Sequence, residues 1–586
     1  MNKKSYTDPQ IKAINWKEGP VIVLAGPGSG KTAVLTERII RLLKETEEET
    51  FRILALTFTN KAATEMSERI AAGIDNQEKR LFIGTFHSFC SEILRNHGSY
   101  VKVKSDFNIY SSIDDLNAVI EEVKQEYCNL YPDEDIQNLK FLNVVQYFEK
   151  KLCLTPEDVD LVMPKTNYPE AFKWIYFRYL ERLSELNAVD FDMLILLTYK
   201  LFKLYPNITR IYRNMYRYIN IDEFQDTNFG QYTLIKTLCG NKNKNLFIVA
   251  DDDQVIYGWN GASHERLEDF RVVFDAELIQ LYQNFRCPVE VVELANKLIS
   301  HNQNRTANKK PLKAMKVVDD IESQHIFIKR YEDFEDESSD VSKLILEIKE
   351  KYPNESICVL ARTNRLLDKT FDIAVNNGIN CVKSKRKDEF EMPYVLWVYD
   401  MLKLANHRND AKTLMQLITL INTISGKSIV YDDVLLQADI KDGDLLKALS
   451  NYLLDVFDDT ELQKSILLNL CEGKSFLSFI RDAFNWIDKQ INTIENNEVR
   501  EQTLSEYNAE KKVWIHFQTN LEYIYNLEEM TIATYMQEFS MISKEIEPSE
   551  DCIQFLTIHA SKGKEFDNVI LIGMVDDELP SYQSIK

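Results

Sequence analysis

The chain has 586 residues, with 70 Lys and Arg against 92 Asp and Glu, a formal net charge of -22. At roughly 150 residues per domain the length predicts about four domains or subdomains. The acidic balance excludes a histone-like, wholly basic nucleic-acid binder but leaves room for a local basic groove. With 45% hydrophobic and 28% charged residues, the composition is that of an ordinary globular protein. Nine cysteines without a CxxC pair read as reduced thiols, and eight histidines without HExxH argue against a structural metal site. No apolar run approaches the ~18 residues of a membrane span. The start, MNKKSYTDPQ, has no apolar stretch behind its lysines, so there is no secretion signal and the expected location is cytoplasmic.

In chain order, residues 21–24 form a short β-branched run followed by a glycine-rich turn and a helical apolar pattern from Thr32. Residues 53–56 and 83–85 predict further strands, with helices over 61–70 and 88–94. Residues 100–200 read as helical and aromatic-rich, for instance at 147–152 and 171–186, and are expected to be an insertion. The runs 218–221 and 246–250 both end in acids. Strands alternating with helices imply an α/β fold with a parallel sheet and ligand chemistry at the strands' carboxyl ends. A second α/β pattern is expected to open with a strand at 278–281 and continue at 326–329 and 357–360. It breaks near 385 and resumes at 553–556 and 569–572, around a mostly helical stretch.

Ala25-Gly26-Pro27-Gly28-Ser29-Gly30-Lys31-Thr32 fits the phosphate-loop pattern, with Ala in place of the first Gly. Such a loop needs converging backbone N–H groups, a lysine on the β/γ-phosphates and a hydroxyl on Mg²⁺. Asp222 and Glu223, in IDEFQD, follow an apolar strand. Asp222 is assigned to the metal together with Thr32, and Glu223 to polarising the attacking water. Acidic capping of the next helix would account for Asp222 or Asp226 alone, but not for their place beside a phosphate loop. Gln254, after three aspartates, is suited to sensing the γ-phosphate without competing for the metal.

Nine short strings in order along the chain resemble the motifs of superfamily 1A DNA helicases, the UvrD/Rep/PcrA group. They are TDPQ at 7–10, AGPGSGKT at 25–32, LTFTNKAA at 56–63, GTFHSF at 84–89, IDEFQDTN at 221–228, ADDDQVIYGWNGA at 250–262, QNFR at 283–286, VLARTN at 359–364 and TIHASKGKEF at 557–566. Asp190-Phe191-Asp192 resembles a further family segment. The resemblance implies two RecA-like cores with helical insertions: core 1A over 1–100 and 201–277, insertion 1B over 101–200, core 2A over 278–385 and 551–586, and insertion 2B over 386–550. It implies ATP and Mg²⁺ as cofactors, single-stranded DNA and its junctions with duplex as partners, and 3'→5' translocation with strand separation.

Carried over by position, the resemblance has Gln10 reading adenine, Phe285 stacking on it and Glu565 touching the ribose. Arg286 would reach the γ-phosphate from the second core. The implied strand-binding set is Phe58, Thr59, Asn60, Thr85, His87, Phe191, Tyr257, Trp259, Asn364, Thr557 and His559. Aromatics there would stack on bases without sequence preference, whereas Phe58 or Phe191 could equally be core and His87 and His559 satisfied core histidines.

The sequence departs from the family pattern twice. Asn260 stands where the family has arginine. The chain stops at Lys586 shortly after the fifth motif, so the arginine-bearing sixth is expected beyond it or on a partner. The second functional reading follows from these departures: a nucleotide-gated regulatory subunit that binds DNA and a partner nuclease, as in a phage-defence complex, without autonomous unwinding.

Overall fold

The computed structural model describes residues 6–47, 49–74, 80–240, 245–258, 261–316, 325–383, 390–426, 428–439, 443–457, 460–522, 525–542 and 551–580. The chain forms two compact units, one of Met1–His325, Trp397–Lys489 and Phe517–Ile542, the other of Ile326–Leu396, Gln490–His516 and Ser543–Lys586.

The first unit is built on a six-stranded sheet of β1 (Val21–Ala25), β2 (Arg52–Thr57), β3 (Leu81–Thr85), β4 (Tyr216–Ile221), β5 (Leu246–Ala250) and β6 (Glu277–Leu281). The spatial order is β3-β2-β4-β5-β1-β6, and every pairing is parallel. Side chains alternate between the faces, and both faces are covered, which is why the strands read as unbroken apolar runs. Ile22, Leu54, Leu56, Ile219, Ile221 and Ile248 enter one core. Val21, Val23, Ile53, Ala55, Phe247 and Val249 enter the other. The expected strands at 21–24, 53–56, 83–85, 218–221 and 246–250 are all present.

The helices at Ile113–Leu130, Leu142–Lys150, Pro169–Glu185 and Phe191–Leu204 cover the stretch read as helical. Their Val119, Tyr127, Phe148 and Tyr176 share one continuous core with Ile22 and Leu54 of the sheet. Helices of the later stretch belong here too: Gln537 of Ile532–Met541 donates Nε2 to the carbonyl of Phe107 at 2.7 Å.

The second unit carries a four-stranded sheet of β7 (Ile357–Ala361), β8 (Cys381–Lys383), β9 (Ile553–Thr557) and β10 (Asn568–Leu571). Its order is β8-β9-β7-β10 and it is again parallel. Ile357, Val359, Leu367, Ile553 and Phe555 form its core.

Two sequence expectations are corrected. The 278–281 run does not open the second sheet: β6 pairs with β1 from Val21↔Glu277 to Ala25↔Leu281 and forms an edge of the first. Residues 326–329 form no strand; Phe327 and Ile328 are 77% and 93% exposed, so no neighbouring strand rewards their β-branched and aromatic character. Among the described residues, no helix is long and apolar enough to cross a membrane.

Candidate nucleotide and nucleic-acid site

All six strands of the first sheet run the same way, so their carboxyl ends share one edge, and the predicted residues of this unit follow those ends. After β1 the loop Gly26–Gly30 turns into the helix Lys31–Glu45. Gly28 and Gly30 have φ of +66° and +82°, a region that L side chains rarely enter. Space is also lacking: a Cβ on Gly28 would lie 2.9 Å from the Arg286 Cβ, and one on Gly30 would lie 2.9 Å from Gln10 Nε2.

Gln10 is buried in the helix Asp8–Ile14. Its Nε2 donates to the Ser29 carbonyl at 3.0 Å, and its Oε1 accepts the Thr7 N–H at 2.9 Å. The amide therefore braces the phosphate loop directly.

Lys31 and Thr32 begin the helix after the loop, where backbone N–H groups and the helix dipole favour anions. Lys31 Nζ lies 2.9 Å from Glu223 Oε1. Burial alone would lower the lysine's pKa, but Glu223, Asp222 and Asp251 together hold it above the ordinary lysine value. Asp222 and Glu223 stand at the end of β4. Burial first, and then the Glu223 charge, push Asp222 up to about 7 against the opposing pull of Lys31. Glu223 has φ +48°, a left-handed conformation costing a non-glycine residue about 1–3 kcal/mol, of the kind concentrated at functional sites.

At the end of β5, Gln254 Nε2 donates to Asp251 Oδ2 at 2.9 Å. Gln225, which the sequence did not single out, joins the two acidic motifs. Its Nε2 donates to Glu223 Oε2 and its Oε1 accepts the Asp251 N–H at 3.0 Å. Its only sequence signal was its position between Glu223 and Asp226 in IDEFQD.

Phe285 and Arg286 follow β6. The Phe285 N–H donates to the Gly28 carbonyl at 2.9 Å, and Asn284 Nδ2 donates to the Pro27 carbonyl at 2.8 Å. Arg286 was expected to reach the phosphates from the second core. It belongs instead to the same compact unit as the phosphate loop, with its Cβ packed against Gly28, because β6 pairs with β1.

The strand-binding candidates of the first unit sort by what they touch. Phe58, after β2, stacks on Tyr257, with ring centroids 5.3 Å apart and planes 19° from parallel. His87, after β3, meets Phe191 edge to face at 5.4 Å. Phe58 and Phe191 are half-buried, and Phe191 packs against the core of its unit. Thr59 and Thr85 cap helices, each hydroxyl accepting a backbone N–H at 3.2 Å, from Ala62 and Ser88. Asn60 Nδ2 donates to the Met541 carbonyl at 2.7 Å. Trp259 and Asn260 lie outside the described residues.

In the second unit, β7 and β9 are neighbours in register from Cys358↔Gln554 to Ala361↔Thr557. Their carboxyl ends therefore bring Asn364 and the Thr557–His559 turn together. Arg362 Nη1 lies 3.4 Å from His559 Nδ1, the Ile558 N–H donates to the Ala361 carbonyl at 3.0 Å, and Thr557 Oγ1 accepts the Ala560 N–H at 3.2 Å. Glu565 follows in the loop before β10.

Residues 6–275 match the UvrD/REP helicase N-terminal domain, and residues 279–586 match the UvrD-like helicase C-terminal domain. The chain belongs to the UvrD-like helicase family. Members similar to it include the ATP-dependent DNA helicase PcrA of Staphylococcus aureus (strain Mu50 / ATCC 700699), 30% identical over 602 residues that cover 98% of this chain and 78% of the relative. The protein of the same name from Staphylococcus epidermidis (strain ATCC 12228 / FDA PCI 1200) is 29% identical over 599 residues, covering 100% of this chain and 79% of the relative. The two family segments meet between residues 275 and 279, at the strand β6 that closes the first sheet.

Proposed function

We propose that this chain is an ATP-dependent DNA helicase that moves along single-stranded DNA in the 3'→5' direction and separates strands at junctions with duplex. The observation that carries the reading is the 2.9 Å contact of Lys31 with Glu223, on the sheet edge that also presents the stacked pair Phe58 and Tyr257.

Lys31 can exchange Glu223 for a phosphate oxygen of ATP, which leaves the Glu223 carboxylate to accept a proton from the attacking water. Gln225 holds the second oxygen of Glu223 and so keeps the carboxylate oriented during that exchange. Thr32 and Asp222 fit Mg²⁺: a buried carboxylate with a like charge beside it is a group that a divalent cation stabilises. Bound there, Mg²⁺ would neutralise charge on the phosphate oxygens. Gln254 reports the γ-phosphate, Arg286 stabilises the charge of the transition state, Gln10 and Phe285 face the adenine, and Glu565 faces the ribose.

The aromatic pair Phe58 and Tyr257, with His87 and Phe191 in the same unit, supplies stacking surfaces that accept any base. Asn364, Thr557 and His559 are the strand contacts of the second unit, with Trp259 and the polar Thr59, Asn60 and Thr85 completing the set.

The test is strand displacement from duplexes carrying a single-stranded tail at one end. ATP-dependent displacement with a 3' tail and little with a 5' tail is expected. Displacement from 5' tails alone would reverse the polarity, and ATP hydrolysis with no displacement from either would favour the regulatory subunit.

A further inference from the structure

Three consecutive aspartates at the end of β5, Asp251, Asp252 and Asp253, bring one carboxylate oxygen each to within 4.8 Å of one another. Asp251 and Asp252 are 0% and 1% exposed at their side chains. So close a trio repels itself unless a cation sits among it. Here the cation comes from the chain, from a polar stretch, 302–310, that lies outside the nine motif strings.

Lys309, 8% exposed, places Nζ 2.7 Å from Asp251 Oδ1, 2.5 Å from Asp252 Oδ1 and 2.7 Å from Asp253 Oδ2. Arg305 grips Asp253 with two parallel bonds of 2.7 and 2.8 Å, and the Thr306 N–H donates to Asp252. The same segment continues to Leu312, which a Cβ on Gly26 would strike. The Lys313 N–H then donates to the Tyr282 carbonyl and the Met315 N–H to the Asn284 carbonyl. One strap of chain thus touches the phosphate loop, the Gln254 motif and the Arg286 motif.

Asp251 is the hub. One oxygen takes Lys309, the other takes Gln254 Nε2 at 2.9 Å, and its N–H is held by Gln225, the partner of Glu223. We infer that Lys309 is a positioning residue for ATP hydrolysis: it pins Asp251, and through Asp251 it sets the orientation of the Gln254 amide. Without its charge the aspartates would spread apart and Asp251 would release Gln254. Among the described residues the Arg305 side chain pairs with Asp253 alone, so its part is smaller. This inference rests on the proposed ATPase activity.

The test uses the full chain and steady-state ATP hydrolysis with single-stranded DNA present. In Lys309→Met, kcat is expected to fall about 10- to 100-fold while the KM for ATP stays within about threefold, the pattern of an interaction made in the transition state. Lys309→Arg should recover most of the loss, and Arg305→Met should lose less than Lys309→Met. In a Gln254→Ala background Lys309→Met should have little further effect, because the group it positions is gone. Equal factors in both backgrounds, or a Lys309→Met enzyme that turns over like the wild type, would overturn the role.

A second measurement needs no Lys309 variant. A non-hydrolysable ATP analogue should slow amide hydrogen exchange over residues 303–310 in the wild type and do so much less in Gln254→Ala; equal slowing in both would overturn the coupling. An inactive wild type would sink the proposed function itself, whereas an active wild type beside an unimpaired Lys309→Met sinks only this inference.

Discussion

The two sheets carry their strand-end residues on platforms of different depth. In the first, every residue of β1 and β5 is buried, and the groups at the strand ends are tied into one network running from Lys31 through Glu223, Gln225 and Asp251 to Gln254. In the second, the central strands β7 and β9 already leave one and two residues half-buried, and the edge strands β8 and β10 are half-buried or exposed, with Val569 54% exposed. Phosphoryl transfer depends on positions held to fractions of an ångström. Contacts that only need to grip a moving strand tolerate a lighter support. On the proposed reading the chemistry is concentrated in the first unit, where a small displacement is costly, and the second unit would contribute strand-end side chains such as Asn364 and His559.

That contrast can be broken in several ways. The largest expected effect is at Arg286: Arg286→Ala should lower kcat for ATP by about 10³–10⁵ if the residue acts on the transition state, with a much smaller change in nucleotide affinity. An equal loss in affinity and kcat would make it a binding residue instead. The second effect compares platforms by thermal or denaturant unfolding. Ile248→Ala, in the fully buried β5, should cost about 2–5 kcal/mol, whereas Val569→Ala on the exposed side of β10 should stay within about 0.5 kcal/mol. Similar costs would remove the contrast in depth.

Tyr257→Ala should weaken single-stranded DNA binding by about 1–3 kcal/mol and leave DNA-independent hydrolysis nearly intact; unchanged DNA affinity would reduce the Phe58–Tyr257 stack to local packing. The smallest effect is at the helix cap, where Thr85→Ala should cost about 0.5–2 kcal/mol of stability. A loss of DNA affinity beyond that seen in an equally destabilised variant would show that Thr85 meets the strand as well as capping its helix.

Most of the first sheet was legible in the sequence because its strands are buried on both faces and read as short apolar runs before glycine or acid. The phosphate loop was legible for a stronger reason: glycine, lysine and threonine at fixed spacing after a strand are demanded by the anion they cradle. Sheet membership was not legible for β6. An apolar run shows that a strand is buried but not which strand pairs with it, since pairing is a contact across hundreds of residues. That pairing places Arg286 in the first compact unit, although the C-terminal family segment begins at residue 279. At 326–329 the pattern was β-like, but strand propensity alone, without a partner, makes no strand.

The polar NRTANKK stretch, residues 304–310, gave no hint of Lys309, because a lysine among polar residues looks like a solvated turn until the three aspartates that surround it are known. Thr59, Thr85 and Asn60 were legible as motif members, but their hydroxyl and amide groups are engaged in caps and a helix contact. These structural roles stand beside the proposed strand contacts.

The central claim, that the first unit burns ATP in response to a DNA strand, is tested most directly by the steady-state rate of ATP hydrolysis by the full chain with and without single-stranded DNA, beside Glu223→Gln as the control. Strong stimulation of the wild type, with hydrolysis lost but DNA binding kept in Glu223→Gln, is the predicted result. A rate that ignores DNA, or one that survives in Glu223→Gln, would contradict the account.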